Sequence, residues 1–292
     1  MLYLIVVTGL WAFSFSLIGV YLAGQVDPWF AVLMRVGLAA LVFLPFLRLT
    51  EVSKTLAIKL MAIGAVQLGL MYGFYYHSFL YLTVPEVLLF TVMTPVYITL
   101  INDVLERQFH LHFLVSALLA VLGAVAIRYQ GVDSGFISGF LLVQGANLCF
   151  AIGQVSYKRV MNQQNQSQAL PLKQHHLFGW FFLGAFFVAL ISYGLFGNAS
   201  QLPQTSLQWG VLVYLGIVAS GLGFFAWNKG ATLVDVGTLA VMNNVLIPAG
   251  IIVNLALWDR EADLLRLGIG GSIIVLSLWV NRYFEKQKEI KL

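Results

Sequence analysis

Three ionisable side chains stand where such groups are rare. Arg35 lies in the middle of the apolar run from Trp29 to Leu47, and it alone of the sixteen basic residues falls deep inside such a run. At the centre of a membrane helix an arginine costs about 2.5–3.5 kcal/mol on insertion scales, so it faces a protein interior or a water-filled cavity. It needs a partner there, and an anionic group on a solute is one candidate. Glu86 follows Pro85 at the start of a later run. A carboxylate at that point either complements a helix N-terminus or acts as a protonatable coupling group. His77 is of the type that titrates near neutrality, and the alternative is a hydrogen bond to a neighbouring helix.

Neutral polar and aromatic residues recur around these three at helical spacing. Thr8, Trp11 and Phe15 share one face, with Ser14 and Ser16 beside it. Tyr72, Tyr75, Tyr76 and Phe79 stack on another, with Gln67 and His77 displaced from it. Thr91, Thr94 and Asn102 form a line, as do Gln144, Asn147 and Gln154. Ser220, Gly223 and Trp227 precede Asn228, and Asn243, Gly250 and Asn254 align with Asn244 alongside. One reading is helix-to-helix hydrogen bonding, typically worth about 0.6 kcal/mol each. The other is a pocket with aromatic walls, a few amides and hydroxyls and one cation, suited to a compact organic acid with an amide-like group. Tyr72 and Trp227 lie too deep to be interfacial anchors.

Enzyme chemistry has little to build on. The chain contains no His-Glu-x-x-His zinc motif, no Gly-x-Ser-x-Gly elbow and no Walker-type phosphate loop. A membrane-embedded enzyme using His77 or Glu86 is the reading from another class. His175 and His176 are adjacent in a Gln- and Asn-rich stretch, Met161 to His176, that reads as a solvated loop. Neither a metal nor a cofactor is expected. The single cysteine, Cys149, permits no intrachain disulfide.

The elements that must position these residues are membrane helices. Hydrophobic residues make up 60% of the 292 and charged residues 10%, against about 25% charged in soluble domains. The mean hydropathy is +0.88. A hydrocarbon core about 30 Å thick calls for about 20 apolar residues per helix. Ten stretches meet that: 2–23, 29–47, 56–82, 86–104, 109–128, 135–157, 177–196, 207–230, 236–257 and 264–282. They are continuously apolar rather than alternating, which excludes a barrel. The first lacks a basic leader and reads as a retained span. The pI near 9.1 comes from basic residues flanking spans, so the partner it implies is the lipid bilayer and not nucleic acid. Twelve Lys and Arg lie in one set of loops and the C-terminal tail, and three, Arg128, Arg260 and Arg266, in the other. The basic side is cytoplasmic, which puts both termini in the cytoplasm.

The spans divide into halves of five. Leu10-Trp11-Ala12-Phe13 in the first span resembles Leu148-Cys149-Phe150-Ala151 in the sixth. Pro95 and Asn102 in the fourth correspond to Pro248 and Asn254 in the ninth, and the fifth and tenth end Ile127-Arg128-Tyr129 and Asn281-Arg282-Tyr283. Because five is odd, the second copy is inverted in the membrane. Inverted repeats place a transporter's solute site near mid-membrane at their interface. The expected fold is therefore an all-α integral membrane protein of ten transmembrane helices in two inverted five-helix repeats. Residues 1–130 form the first repeat, 134–284 the second, and 285–292 a cytoplasmic tail.

This pattern resembles the drug/metabolite transporter superfamily, EamA branch. The local sequence is similar to the bacterial biotin-transporter type within it. The resemblance runs through Trp11-Ala12-Phe13-Ser14-Phe15-Ser16, the stretch from Arg35 to Arg48, and Tyr81-Leu82-Thr83-Val84. It continues through Trp227-Asn228, Met242-Asn243-Asn244 and Pro248-Ala249-Gly250, and fades in the 161–176 loop and after Tyr283. It implies an inner-membrane secondary carrier that imports biotin by alternating access. Arg35 would then neutralise the valerate carboxylate. Trp11, Tyr72, Tyr76 and Trp227 would wall the bicyclic ring, and Asn243 or Asn244 would hydrogen-bond the ureido group. Other members of the superfamily export amino acids and related metabolites, which is the rival reading. A basic residue near the second span is common among members with different substrates, so a structural or gating role for Arg35 stands beside the binding one.

Overall fold

The computed structural model describes residues 1–105, 134–167, 173–234 and 236–258, and singly 107, 119, 122, 265, 268, 269, 272, 273, 276, 279, 280 and 283. Among these residues the fold is wholly helical. We number the helices α1 (Leu2–Leu22), α2 (Pro28–Phe46), α3 (Lys54–Ser78), α4 (Val84–Leu105), α5 (Ser134–Ser167), α6 (Gln174–Phe196), α7 (Ser206–Ala231) and α8 (Val236–Trp258). Seven of them, α1 to α7, are long and apolar enough to cross a membrane. The eight helices match eight of the ten expected spans to within a few residues at most ends. The expected spans 109–128 and 264–282, the junction before Ser134 and the basic tail lie outside the described residues. One boundary differs clearly. The stretch expected as a loop over 161–176 is helical to Ser167 and again from Gln174. No Gly or Pro interrupts 161–167, and its Met and Gln residues are good helix formers, so α5 continues past its apolar part.

The starts of the helices are written in their caps. Asp27 accepts from the Phe30 N–H at 2.7 Å and is followed by Pro28, whose missing N–H costs nothing at the first helical position. Ser53 caps α3 through the Leu56 N–H. Thr83 and Glu86 form a capping box on α4, and Thr205 and Gln208 form one on α7. Three helices depart from regular α geometry along their length, and a fourth does so at a proline. Wide π turns occupy Ile18–Leu22 in α1, Ala65–Leu70 in α3 and Tyr214–Leu222 in α7. In α4, Pro95 cannot donate to Thr91, and its ring crowds that carbonyl. The helix tightens to a 3₁₀ turn at Thr91–Met93, and the Thr94 hydroxyl donates to the Thr91 carbonyl at 2.8 Å.

Helices meet backbone to backbone at glycines. A Cβ on Gly64 would lie 1.8 Å from the Phe181 carbonyl oxygen, and one on Gly184 would lie 1.9 Å from that of Met61. These two glycines join α3 to α6. Gly216, against the Leu38 side chain, joins α7 to α2. Helix α1 packs on α8 and α7, and α5 packs on α4 and α3. Large aliphatic residues such as Leu41, Ile58, Leu141, Ile191 and Leu195 face outward, while Arg35, Gln67, Asn147, Gln154, Ser220, Asn228 and Asn254 are buried. That is the reverse of a soluble protein and the arrangement lipid favours.

Candidate functional site

Helix α2 carries Arg35 to the middle of the bundle, where it is 2% exposed. Its Nε donates to Ser220 Oγ on α7, and an Nη donates to the Tyr76 hydroxyl at 3.4 Å. The guanidinium carbon sits 4.1 Å from the centre of the Tyr72 ring, a cation–π contact. The Tyr72 hydroxyl shares a 2.8 Å hydrogen bond with the same Ser220 Oγ. Thus Arg35 is held by neutral groups from α3 and α7, and among the described residues no carboxylate pairs with it. A guanidinium has five N–H donors in a planar fork, so this tether leaves donors for an anion.

The cation opens on a cavity between the helices. Arg35 from α2, Met71, Tyr72 and Tyr75 from α3 and Phe224 from α7 form one side. Trp11, Ser14 and Phe15 from α1, Ala146, Asn147 and Phe150 from α5, Thr91 and Thr94 from α4, and Asn243 and Leu246 from α8 complete it. Several polar lining groups are fixed from behind. The Trp11 Nε1 donates to the Ala219 carbonyl at 2.8 Å inside the π turn of α7, and Gly223 lets the indole approach, since a Cβ there would lie 3.0 Å from that nitrogen. Asn147 Nδ2 donates at 2.9 Å to the carbonyl of Phe90, the residue at which the 3₁₀ turn of α4 begins. Asn147 Oδ1 accepts from Thr94, and Asn243 Nδ2 donates one turn back to the Leu239 carbonyl at 3.0 Å. The site is aromatic on its walls, positive at one end and amide-bearing elsewhere.

Of the residues singled out from sequence, Arg35, Trp11, Tyr72 and Asn243 line this cavity. Tyr76 touches Arg35 from one turn along α3 but is not itself in the lining. Trp227 is wholly buried behind Trp11, ring centres 4.9 Å apart, and backs the wall rather than forming it. Asn244 is on α8 beside Asn243, and its side chain lies outside the described set. Glu86 and His77 are elsewhere. Glu86 accepts from the Thr83 backbone N–H and hydroxyl, both at 2.8 Å, as a helix cap does. His77 Nδ1 donates to the Gly73 carbonyl at 2.7 Å and its ring packs 4.5 Å from Trp29. Sequence reasoning did not assign Tyr75, Asn147, Phe150, Phe224 or Ser220 to the site. Asn147 and Ser220 stand on polar stripes, and Phe150 and Phe224 follow them three and four residues on along the same faces, where an apolar residue reads as core. Among the described residues no group of three or more His, Cys, Asp or Glu side chains is arranged to hold a metal.

Residues 1–129 match the model of the EamA-like transporter family. Over 281 residues the chain is 56% identical to a biotin transporter of Salmonella typhimurium, covering 96% of this chain and 92% of the relative. It is 55% identical over 280 residues to a biotin transporter of Escherichia coli, with the same shares. It is 56% identical over 282 residues to a probable biotin transporter of Pseudomonas aeruginosa, covering 97% of each. A solved crystal structure of a protein 18% identical to it superposes with a TM-score of 0.64 over 99% of this chain and 96% of its own, which shows a shared fold.

Proposed function

This chain belongs to the EamA-like transporter family, and on that footing we propose that it is a bacterial inner-membrane carrier that imports biotin by alternating access. The observation that carries the proposal is Arg35. A buried cation whose partners among the described residues are all neutral, beside an aromatic cavity, is matched by a ligand with a carboxylate at one end and a flat body. Biotin is such a molecule. Its carboxylate would meet the free donors of Arg35, an ionic hydrogen bond worth about 1.5–3 kcal/mol, or roughly ten- to hundredfold in affinity. Trp11 and Tyr72 would hold the rings, with Tyr76 and Trp227 setting their positions from behind, and Asn243 or Asn244 would take the ureido group. The identities of 55–56% to relatives named biotin transporters support the substrate.

Ten spans in two inverted repeats, 1–130 and 134–284, suit the packing. The α1–α8 and α1–α7 pairs have counterparts in α5–α4 and α5–α3, and the α2–α7 pair in α6–α3. Those are the pairs that exchange when the first and second five spans exchange. The equivalent helices α3 and α7 also share a mid-helix π turn. Twelve basic residues against three support cytoplasmic termini. The matched family is one of transporters and the relatives are named transporters, which supports a carrier over an enzyme.

The test is uptake of labelled biotin, at nanomolar concentration, into a biotin auxotroph whose own transporter is deleted. Expression of this chain should restore growth and uptake, and unlabelled biotin should compete while phenylalanine and threonine do not. Membrane expression without rescue, accompanied by amino-acid efflux, would favour the exporter.

A further inference from the structure

A second group of buried polar residues lies past the wall of the Arg35 cavity. Trp11, Phe150 and Phe224 meet there with ring centres 4.9–6.3 Å apart and close one end of the cavity as an aromatic floor. About one turn beyond them, toward the basic side of the membrane, α5 carries Gln154 and α7 carries Trp227 and Asn228, and α3 adds Gln67, none more than 1% exposed. Gln67 Nε2 donates to Asn228 Oδ1 at 3.3 Å, and Asn228 Nδ2 donates to the Phe224 carbonyl at 3.1 Å, so the pair is tied to the floor itself. The backbone of α5 presses on Gln67 at Gly153, where a Cβ would lie 2.1 Å from the Gln67 side chain.

This cluster is short of partners. Among the described residues, Gln67 Oε1, both amide atoms of Gln154 and Trp227 Nε1 have no hydrogen-bond partner. Buried polar groups almost always find one, so four orphaned atoms on three adjacent helices call for a reason. They comprise two carbonyl acceptors and two N–H donors, with no charge among them. A cyclic urea offers the complement, two N–H donors and one carbonyl acceptor. A carboxylate does not.

We infer that Gln67, Gln154 and Trp227 form a second, neutral station on the transport path, which receives the ureido head of the substrate when the Trp11–Phe150–Phe224 floor parts. The station rests on the biotin-import reading. It gives the path an order: the acid end is held at Arg35, and the neutral head leads toward the cytoplasm. Closed, the floor separates the two stations. Open, it lets the orphaned amides exchange their missing bonds for those of the ligand.

The experiment uses the full chain in proteoliposomes and measures equilibrium binding of labelled biotin beside its counterflow exchange. Gln154→Leu removes the amide at similar volume. Exchange should slow at least about tenfold while the biotin Kd moves less than about threefold, since the Arg35 cavity is untouched. Exchange at the wild-type rate, or binding lost in step with exchange, would overturn the station. Should Gln154→Leu fold poorly, Gln154→Cys in a Cys149→Ser background gives an independent reading. A small membrane-impermeant thiol reagent on the cytoplasmic face should modify it, and saturating biotin should alter that rate at least about fivefold. No modification, or a rate indifferent to biotin, would also overturn it. A wild type that neither binds nor exchanges biotin refutes the import reading itself, a result distinct from either.

Discussion

Ser220→Ala removes one oxygen from a site that is otherwise unchanged in shape, and the geometry says what that oxygen holds. It accepts from Arg35 Nε and shares a 2.8 Å hydrogen bond with the Tyr72 hydroxyl. Both Ser220 and Arg35 are almost wholly buried, so water does not readily replace the lost bonds. A bond to a charged donor is worth about 1.5–3 kcal/mol and a neutral one about 0.5–1.5, so the substitution should cost about 2–4.5 kcal/mol of stability. It also frees the guanidinium to change rotamer. Immobilising such a side chain again on binding costs about 0.5–1.5 kcal/mol, so biotin affinity should fall about two- to twelvefold. Tyr72→Phe keeps the ring that lies 4.1 Å from the guanidinium and loses only the hydroxyl. Because that hydroxyl bonds to Ser220, the double variant should cost less than the two single ones together, by about 0.5–1.5 kcal/mol. The assay is thermal melting of purified protein in detergent, paired with competition binding on the fraction that stays folded. A Ser220→Ala protein that melts and binds as wild type does, or strict additivity with Tyr72→Phe, would refute the tether.

Gly64→Ala and Gly184→Ala should each destabilise by at least about 1–3 kcal/mol, because a Cβ at either would meet a backbone carbonyl that no rotamer change can move. Gly9→Ala, with nothing within 4 Å, should be neutral or stabilising, and equal melting temperatures for Gly9→Ala and Gly64→Ala would contradict the packing. Glu86→Gln keeps an oxygen for the Thr83 N–H and should retain most uptake, whereas abolished uptake with normal folding would restore Glu86 as a coupling group. Reporter fusions at Ala199 and after Leu292 should report opposite compartments, periplasm and cytoplasm, and identical behaviour would sink the inverted repeat.

The helices were legible because the spans are long, apolar and bounded by cap residues, as at Asp27-Pro28 and Thr83-Val84-Pro85-Glu86. The helical continuation to Ser167 was not, because a polar Gln- and Asn-rich stretch is compatible with either helix or loop until α5 supplies the preceding turns. Arg35 stood out as a charge in an apolar run, Tyr72 as an aromatic too deep for the interface, and Trp11 and Asn243 as members of polar or aromatic helix faces. What holds Arg35 was hidden, since Ser220 is 185 positions away and looks like any small polar residue of a membrane helix. Phe150 and Phe224 were hidden for a different reason. They share helix faces with Asn147 and Ser220, but a phenylalanine that lines a cavity is the same residue type as one that packs in the core or faces lipid. Trp227 was visible as a deep aromatic, but its depth behind Trp11 depends on the crossing of α1 and α7.

The pairing of Arg35 with a substrate carboxylate is tested most directly by ligand charge. Competition on folded, detergent-stable protein compares biotin with its uncharged amide, in wild type and in Arg35→Ala, with Arg35→Lys as the variant that keeps charge but loses the planar fork. The wild type should prefer the acid by roughly ten- to hundredfold, Arg35→Lys by less, and Arg35→Ala should show no preference. An Arg35→Ala protein that folds and still prefers the acid as strongly as wild type would show that the carboxylate binds elsewhere.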